Sequence, residues 1–246
     1  MRKTAISLAM LGGLMAACSS HDPILPGDRT AIFDTANLTI LNTEIPNAPT
    51  DAPEPVATDC PYTRDTSNVV WMGDRKIFSG FATPNFVKSD AQPICHGGFV
   101  YVGLTTGEVV KVNQKNRQIA WIADVYRPSN MTGGASVLDI VAPIVISGGA
   151  VYAGGIGDAF CRINNANGTR TWCVDVGTAT PFIVADAVAY VVATDNNLYA
   201  INTKNGDIYW RTPIRKQATP HLANGRVTVG RQHFDAATGV EITSGK

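Results

Sequence analysis

Cysteine, histidine and aspartate are the residues of this chain whose chemistry would depend on spacing, and few of them are spaced to act together. Cys161 and Cys173 flank Asn165–Gly168 almost symmetrically, so in a hairpin they would face each other across adjacent strands. A bridge closing so short a loop contributes about 3 kcal/mol on the chain-entropy account. Cys60 and Cys95 are then left to pair, which would tie a Pro-rich segment to the first repeat unit. Four cysteines allow three pairings, and a zinc site is the competing reading of the same residues. His21, His96, His221 and His233 form no His-x-His or His-Glu-x-x-His cluster, and Asp139 and Asp158 stand alone without metal-ligand spacing. Neither a Gly-x-Ser-x-Gly elbow nor a phosphate-binding loop is present. The spacing therefore supports oxidative cross-linking, expected in an exported protein, better than catalysis.

The fifth cysteine belongs to a different context. Arg2 and Lys3 precede an apolar run, Ala5 to Ala17, of 13 residues. A spanning helix needs about 20 residues, so the run is expected to be an export signal that is cleaved. It ends Leu14-Met15-Ala16-Ala17-Cys18, which resembles the lipobox of bacterial lipoproteins, with Met15 in place of the more usual Leu. Ser19 is similar to the outer-membrane sorting pattern of that class. The resemblance implies acylation at Cys18 and an outer-membrane protein facing the periplasm of a Gram-negative bacterium; more than one acyl chain would make the anchor stable. With 20 basic and 20 acidic residues the chain carries no net charge, which disfavours nucleic acid as a partner.

The elements that must position these residues recur. Pro93, Pro143, Pro181 and Pro220 each open a unit, at intervals of 50, 38 and 39 residues. Tyr101, Tyr152, Tyr190 or Thr228 follows eight or nine residues later; sixteen beyond each Tyr come Arg117, Gly168 and Gly206, and four further on Trp121, Trp172 and Trp210. The clearest unit is Pro181 to Trp210. Val188 to Ala193 is a continuous apolar run, expected of a strand covered on both faces. Asp195, Asn196 and Asn197 make a turn, Leu198 to Asn202 a strand, Lys204 to Gly206 a second turn, and Ile208 to Trp210 another strand. Units of three or four strands with a period near 40 predict the blades of an all-β propeller. About four to five blades are expected over residues 67–246, after a signal peptide at 1–17 and a tether with N-terminal strands at 18–66. Within the tether, Ala31 to Phe33 and Leu38 to Leu41 are expected to pair with sheet edges, and Asn47 to Ala57 to be an extended connector. Val69 to Met72 is expected to close the propeller by completing its last blade.

Ala200-x-Asn202-x-x-Asn205-Gly206-Asp207-x-x-Trp210 resembles the tryptophan-docking repeat of the pyrroloquinoline-quinone (PQQ) type propellers. Arg162 to Trp172 and Lys111 to Trp121 are weaker copies, and Phe234 to Ile242 lacks the Trp. The resemblance implies that Trp71, Trp121, Trp172 and Trp210, with Gly168 and Gly206, dock neighbouring blades. Two activities accompany such repeats. Quinoprotein dehydrogenases carry adjacent cysteines beside the cofactor together with a catalytic carboxylate and a calcium site, and this chain has no adjacent cysteines.

The lipobox, Leu25-Pro26-Gly27-Asp28-Arg29, the Pro-rich stretch and the repeats, in that order, are similar to the BamB family of outer-membrane lipoproteins. That resemblance implies a scaffold without cofactor or metal, which binds a BamA-type barrel-assembly subunit or other envelope proteins and holds nascent strands by β-augmentation. The family's propeller has eight blades, so this chain is expected to be a short or incomplete form of it. The insertion from Asp124 to Ser136 offers Tyr126, Arg127 and Met131 as candidate partner contacts.

Overall fold

The apolar run at Val188 becomes a strand buried on both faces. In the structure, a computed structural model describing residues 40–53, 59–84, 86–87, 91–126 and 137–243, Val188, Tyr190 and Val192 belong to one apolar core and Ala189 and Val191 to the next. A period of two divides a single strand between two neighbours.

Eighteen strands in five antiparallel sheets make up the described residues. Blade 1 holds β1 (Tyr62–Arg64), β2 (Val69–Met72) and β3 (Arg75–Ser79). Blade 2 holds β4 (Ile94–His96), β5 (Phe99–Gly103), β6 (Glu108–Asn113) and β7 (Ile119–Asp124). Blade 3 holds β8 (Val145–Ser147), β9 (Ala150–Gly155), β10 (Ala159–Asn164) and β11 (Arg170–Val174). Blade 4 holds β12 (Ile183–Ala185), β13 (Val188–Val192), β14 (Asn197–Asn202) and β15 (Ile208–Pro213). Blade 5 holds β16 (Pro220–Ala223), β17 (Arg226–Val229) and β18 (Gln232–Asp235). Each is a meander in chain order, and the fold is the all-β propeller type that the repeat predicts.

Four apolar cores join the blades in series: blade 1 to 2 around Val70, Val100 and Val112, blade 2 to 3 around Trp121, Val151 and Ile163, blade 3 to 4 around Phe160 and Val191, and blade 4 to 5 around Tyr190, Trp210 and Phe234. Among the described residues no such core joins blade 5 to blade 1. Val69–Met72 does not complete the last blade as expected; it is the middle strand of blade 1, between β1 and β3. A four-residue apolar stretch fits either place. What decides is that flanking Tyr62–Arg64 and Arg75–Ser79 supply hairpin partners on both sides.

The turn that follows the third strand of blades 2 to 5 is the same device four times over. Asn113, Asn164, Asn202 and Asp235 accept, through the side-chain oxygen, the N–H two residues on. Their carbonyls accept the N–H four residues on, from Arg117, Gly168, Gly206 and Gly239. That fourth residue is left-handed in every copy, φ being 60° at Arg117 and 83° at Gly206. Short polar side chains that satisfy backbone locally favour this turn, and glycine takes the left-handed position without a Cβ penalty.

Candidate functional site

A β-bulge brings each outer strand into the same register. Lys111 pairs with Trp121, Arg162 with Trp172, and Ala200 with Trp210, and the register shifts at the next pair. Each indole lies against the left-handed glycine of the following blade. A Cβ on Gly168 would stand 2.7 Å from Trp121, and one on Gly206 3.0 Å from Trp172; Gly239 offers the same bare face to Trp210. The indole N–H groups donate to Asn165 O (3.0 Å), Thr203 O (3.1 Å) and Ala237 O (3.0 Å) in those turns. Tyrosines add to two of the joints, Tyr101 donating to Asn165 Oδ1 and Tyr190 to Ala236 O. Burial pushes the Tyr190 phenol well above its usual range.

In blade 1 the bulge pairs Val70 with Phe78 and Trp71 with Lys76. Phe78 therefore occupies the register of Trp121, Trp172 and Trp210, while Trp71 occupies that of Val112, Ile163 and Ile201. Trp71 is thus not a docking tryptophan; its indole N–H donates to Asp65 Oδ2 within its own hairpin. The turn of blade 2 that Phe78 would meet carries Arg117 instead of glycine, so the exchange is matched on both sides.

The joint between blades 2 and 3 holds a cation. Lys111 Nζ sits 4.1 Å from the Phe99 ring centre and 5.4 Å from that of Tyr101, and donates to Asn165 O at 2.7 Å. Its burial among these rings lowers its pKa from the usual lysine range. A buried Asn68 clips blade 1 to blade 2, donating to Phe81 O and Thr105 Oγ1 and accepting from Thr105 N. Neither residue has a spacing signature; only the pairing of blades reveals them.

The cysteines form two bridges. Cys161 and Cys173 are cross-strand partners in β10 and β11 with Cα atoms 4.1 Å apart, and Cys60 joins Cys95 with Cα atoms 5.2 Å apart. No three His, Cys, Asp or Glu side chains gather as a metal site among the described residues. Asp139 is buried, its Oδ2 accepting the Val87 N–H while Oδ1 has no partner among the described residues. Burial raises its pKa above the usual carboxylate value, against the pull of the Val87 N–H and of Arg64. Asp158 is exposed, as are His96 and His221, and His233 Nδ1 lies 3.0 Å from Thr228 Oγ1.

Residues 40–52 run along blades 4 and 5. Ile40 bridges Ile208 in parallel, and the N–H groups of Leu41 and Thr43 donate to Ile208 O (2.9 Å) and Tyr209 O (3.1 Å). Ile45 is buried in the core between blades 4 and 5 and donates to Ala237 O. Further on, Ala52 donates to Leu222 O, and Thr50 O accepts from Gly225. The Asn224 N–H and the Thr50 hydroxyl hold the Asp51 carboxyl below its usual range. Tyr126 is half-buried, and its carbonyl accepts from Arg170 at 3.1 Å. Arg127, Met131, Cys18, His21, Leu25–Arg29 and Ala31–Phe33 lie outside the described residues.

The described residues present turn faces, bulged outer edges and the loops between blades. The sequence profile of the family described as "Outer membrane protein assembly factor BamB" matches residues 58–212 and 161–246. A curated protein of that name from Alkalilimnicola ehrlichii is 24% identical over 125 residues, 51% of this chain and 33% of that one. Another, from Moranella endobia, is 24% identical over 147 residues, 58% of this chain and 38% of that one. The chain thus aligns with little more than a third of the length of these relatives. Among solved structures, BamB from Moraxella catarrhalis superposes with a TM-score of 0.60 at 13% identity, covering 73% of this chain and 61% of that one. The quinohemoprotein alcohol dehydrogenase ADHIIG from Pseudomonas putida HK5 superposes at 0.51, with 13% identity, over 74% of this chain and 40% of its own. Both structural likenesses are of fold.

Proposed function

Because this chain belongs to the family of the outer membrane protein assembly factor BamB, we propose that it serves outer-membrane protein assembly as a non-catalytic scaffold. Its role is to hold a BamA-type barrel-forming subunit, or another envelope protein of the same complex, on the periplasmic side of the outer membrane. Acylation at Cys18 would fix it there.

The observation that carries this reading is how the aromatic and cationic side chains are used. Trp121, Trp172, Trp210, Tyr101, Tyr190 and Lys111 are committed to joints between blades. The quinoprotein alternative asks for adjacent cysteines, whereas Cys60, Cys95, Cys161 and Cys173 are bonded in pairs 35 and 12 residues apart. The described residues therefore do not fit that cofactor's usual surroundings.

Deleting the gene in its native host tests the proposal. Quantitative proteomics of outer membranes is expected to show barrel proteins falling as a class while inner-membrane proteins hold steady. Unchanged barrel levels, or dye-linked dehydrogenase activity with a quinone extracted from the purified protein, would contradict it.

A further inference from the structure

Three of the four joints between blades are closed by a docking tryptophan, and the joint between blades 1 and 2 is not. There Phe78 stands in the register of the indoles and offers no N–H, and Arg117 stands where the other turns carry glycine. A disulfide spans that joint instead. Cys60 precedes β1 and Cys95 lies in β4, so their bond runs from blade 1 to blade 2 across a separation of 35 residues. Cys95 belongs to the core of Val70, Val100 and Val112, and Cys60 packs against it. The Cys161–Cys173 bridge differs in kind, because both of its strands belong to blade 3. Blade 3 is docked on both sides, through Trp121 and Trp172. Blade 1, at the end of the series, is joined by one core among the described residues. In an array of units joined in series an end unit can open alone, whereas an inner one must break two joints. Access does not separate the two bridges, since Cys60 and Cys173 are both half-buried; their place in the series does.

We propose that Cys60–Cys95 is a redox latch, opened and closed by a dithiol–disulfide exchange protein with a Cys-x-x-Cys site, and that opening it lets blade 1 part from blade 2 while blades 2 to 5 stay docked. Cys60 is the sulfur attacked, since Cys95 is 8% exposed and lies within a strand. The exchange takes two steps. A thiolate of the partner attacks Cys60 Sγ, forming a mixed disulfide and expelling Cys95 as a thiolate that takes up a proton. The partner's second thiolate then attacks the sulfur of its own first cysteine and releases Cys60, which is protonated in turn. Two electrons pass to this chain, the partner is left as a disulfide, and the protons its thiols gave up end on Cys60 and Cys95. An oxidised partner reverses both steps. What then holds the joint is the apolar core and the clip from Asn68 to Thr105. Parting the blades uncovers Val100, Val102, Val110 and Val112, each at most 1% exposed in the closed form. The latch therefore governs whether blade 2 shows an apolar face.

Native-state hydrogen exchange, read by mass spectrometry on the purified full chain, tests this. Reduction of the parent by reduced thioredoxin, the dithiol probe, is expected to speed exchange across β1 to β3 (residues 62–79) at least about a hundredfold. Exchange across β8 to β18 (residues 145–235) should keep the parent's rates, and reoxidation should restore protection to residues 62–79. Cys60→Ala/Cys95→Ala should show the same regional loss without reductant, whereas Cys161→Ala/Cys173→Ala should leave residues 62–79 protected. Reduction of the parent keeps the reading independent of whether either variant folds. Alkylation during the reduction should label Cys60 and Cys95 at least about tenfold faster than Cys161 and Cys173. Thioredoxin whose second active-site cysteine is replaced by serine should be trapped on Cys60. The proposal is overturned by equal alkylation rates for the two pairs, by trapping on any other cysteine, by unchanged exchange at residues 62–79 after reduction, or by loss of protection in all five blades together.

Discussion

Trp210 lies flat on Gly239 with its N–H committed to Ala237 O, so truncating it removes a buried aromatic and strands a carbonyl at the joint. Trp210→Ala is expected to cost about 3 to 5 kcal/mol in urea unfolding. Trp71 gives a contrast, because its register is not that of a docking residue. Trp71→Phe removes the indole N–H that donates to Asp65, together with part of a half-exposed ring, and should cost about 1 kcal/mol. Asp139 makes a pH prediction. Its folded pKa is raised above the ordinary 3.8, so the native state keeps the proton that the unfolded chain has already lost. The stability this lends is complete below the unfolded value and disappears as pH rises through the folded one. Thermal melts from about pH 4 upward should show the parent losing stability relative to Asp139→Asn, and parallel profiles would exclude this role. At this scale the sequence discloses Tyr, Gly and Trp where they keep constant offsets. Phe78 escapes because a two-residue turn at Gly73–Asp74 replaces the longer turn, so the offset shrinks while the ladder register survives. Lys111 and Asn68 escape because their partners lie on another blade.

At the scale of elements, the Cys161–Cys173 bridge ties β11 to β10 across a separation of 12 residues. Cys161→Ala/Cys173→Ala should lower stability by about 3 kcal/mol, provided the smaller side chains leave the strands paired; circular dichroism checks the pairing and urea midpoints the cost. Strands were legible wherever apolar runs were bounded by Asn, Asp and Gly. The run at Val188 is covered by blades on both faces, and Asn202 with Gly206 writes its turn into the sequence. Val69–Met72 was legible as a strand but not by position, since a short apolar stretch carries no information about its neighbours. The expected edge pairing of Leu38 to Leu41 is seen at Ile40 and Leu41, where the parallel bridge to Ile208 begins. Further along, Thr50 and Ala52 are hydrogen-bonded to blade 5. Proline content suggested a connector there, but proline removes only its own donor and leaves neighbouring N–H groups free to bind an edge.

Across the described residues, five blades are joined in series by four apolar cores, and Trp121, Trp172, Trp210 and Lys111 are engaged in the joints. The number and order of the blades follow from the repeat period, which is set by the length of a four-stranded meander. Partner identity does not follow from period or composition, because the repeat constrains the strands and their joints and leaves the loops and edges free to vary. The full acylated chain, tagged at its C-terminus and purified from detergent-solubilised outer membranes after crosslinking in cells, is expected to bring down a BamA-type barrel-forming subunit in near-equal amount. Recovery of the chain without that subunit or any other member of the barrel-assembly complex would contradict the account.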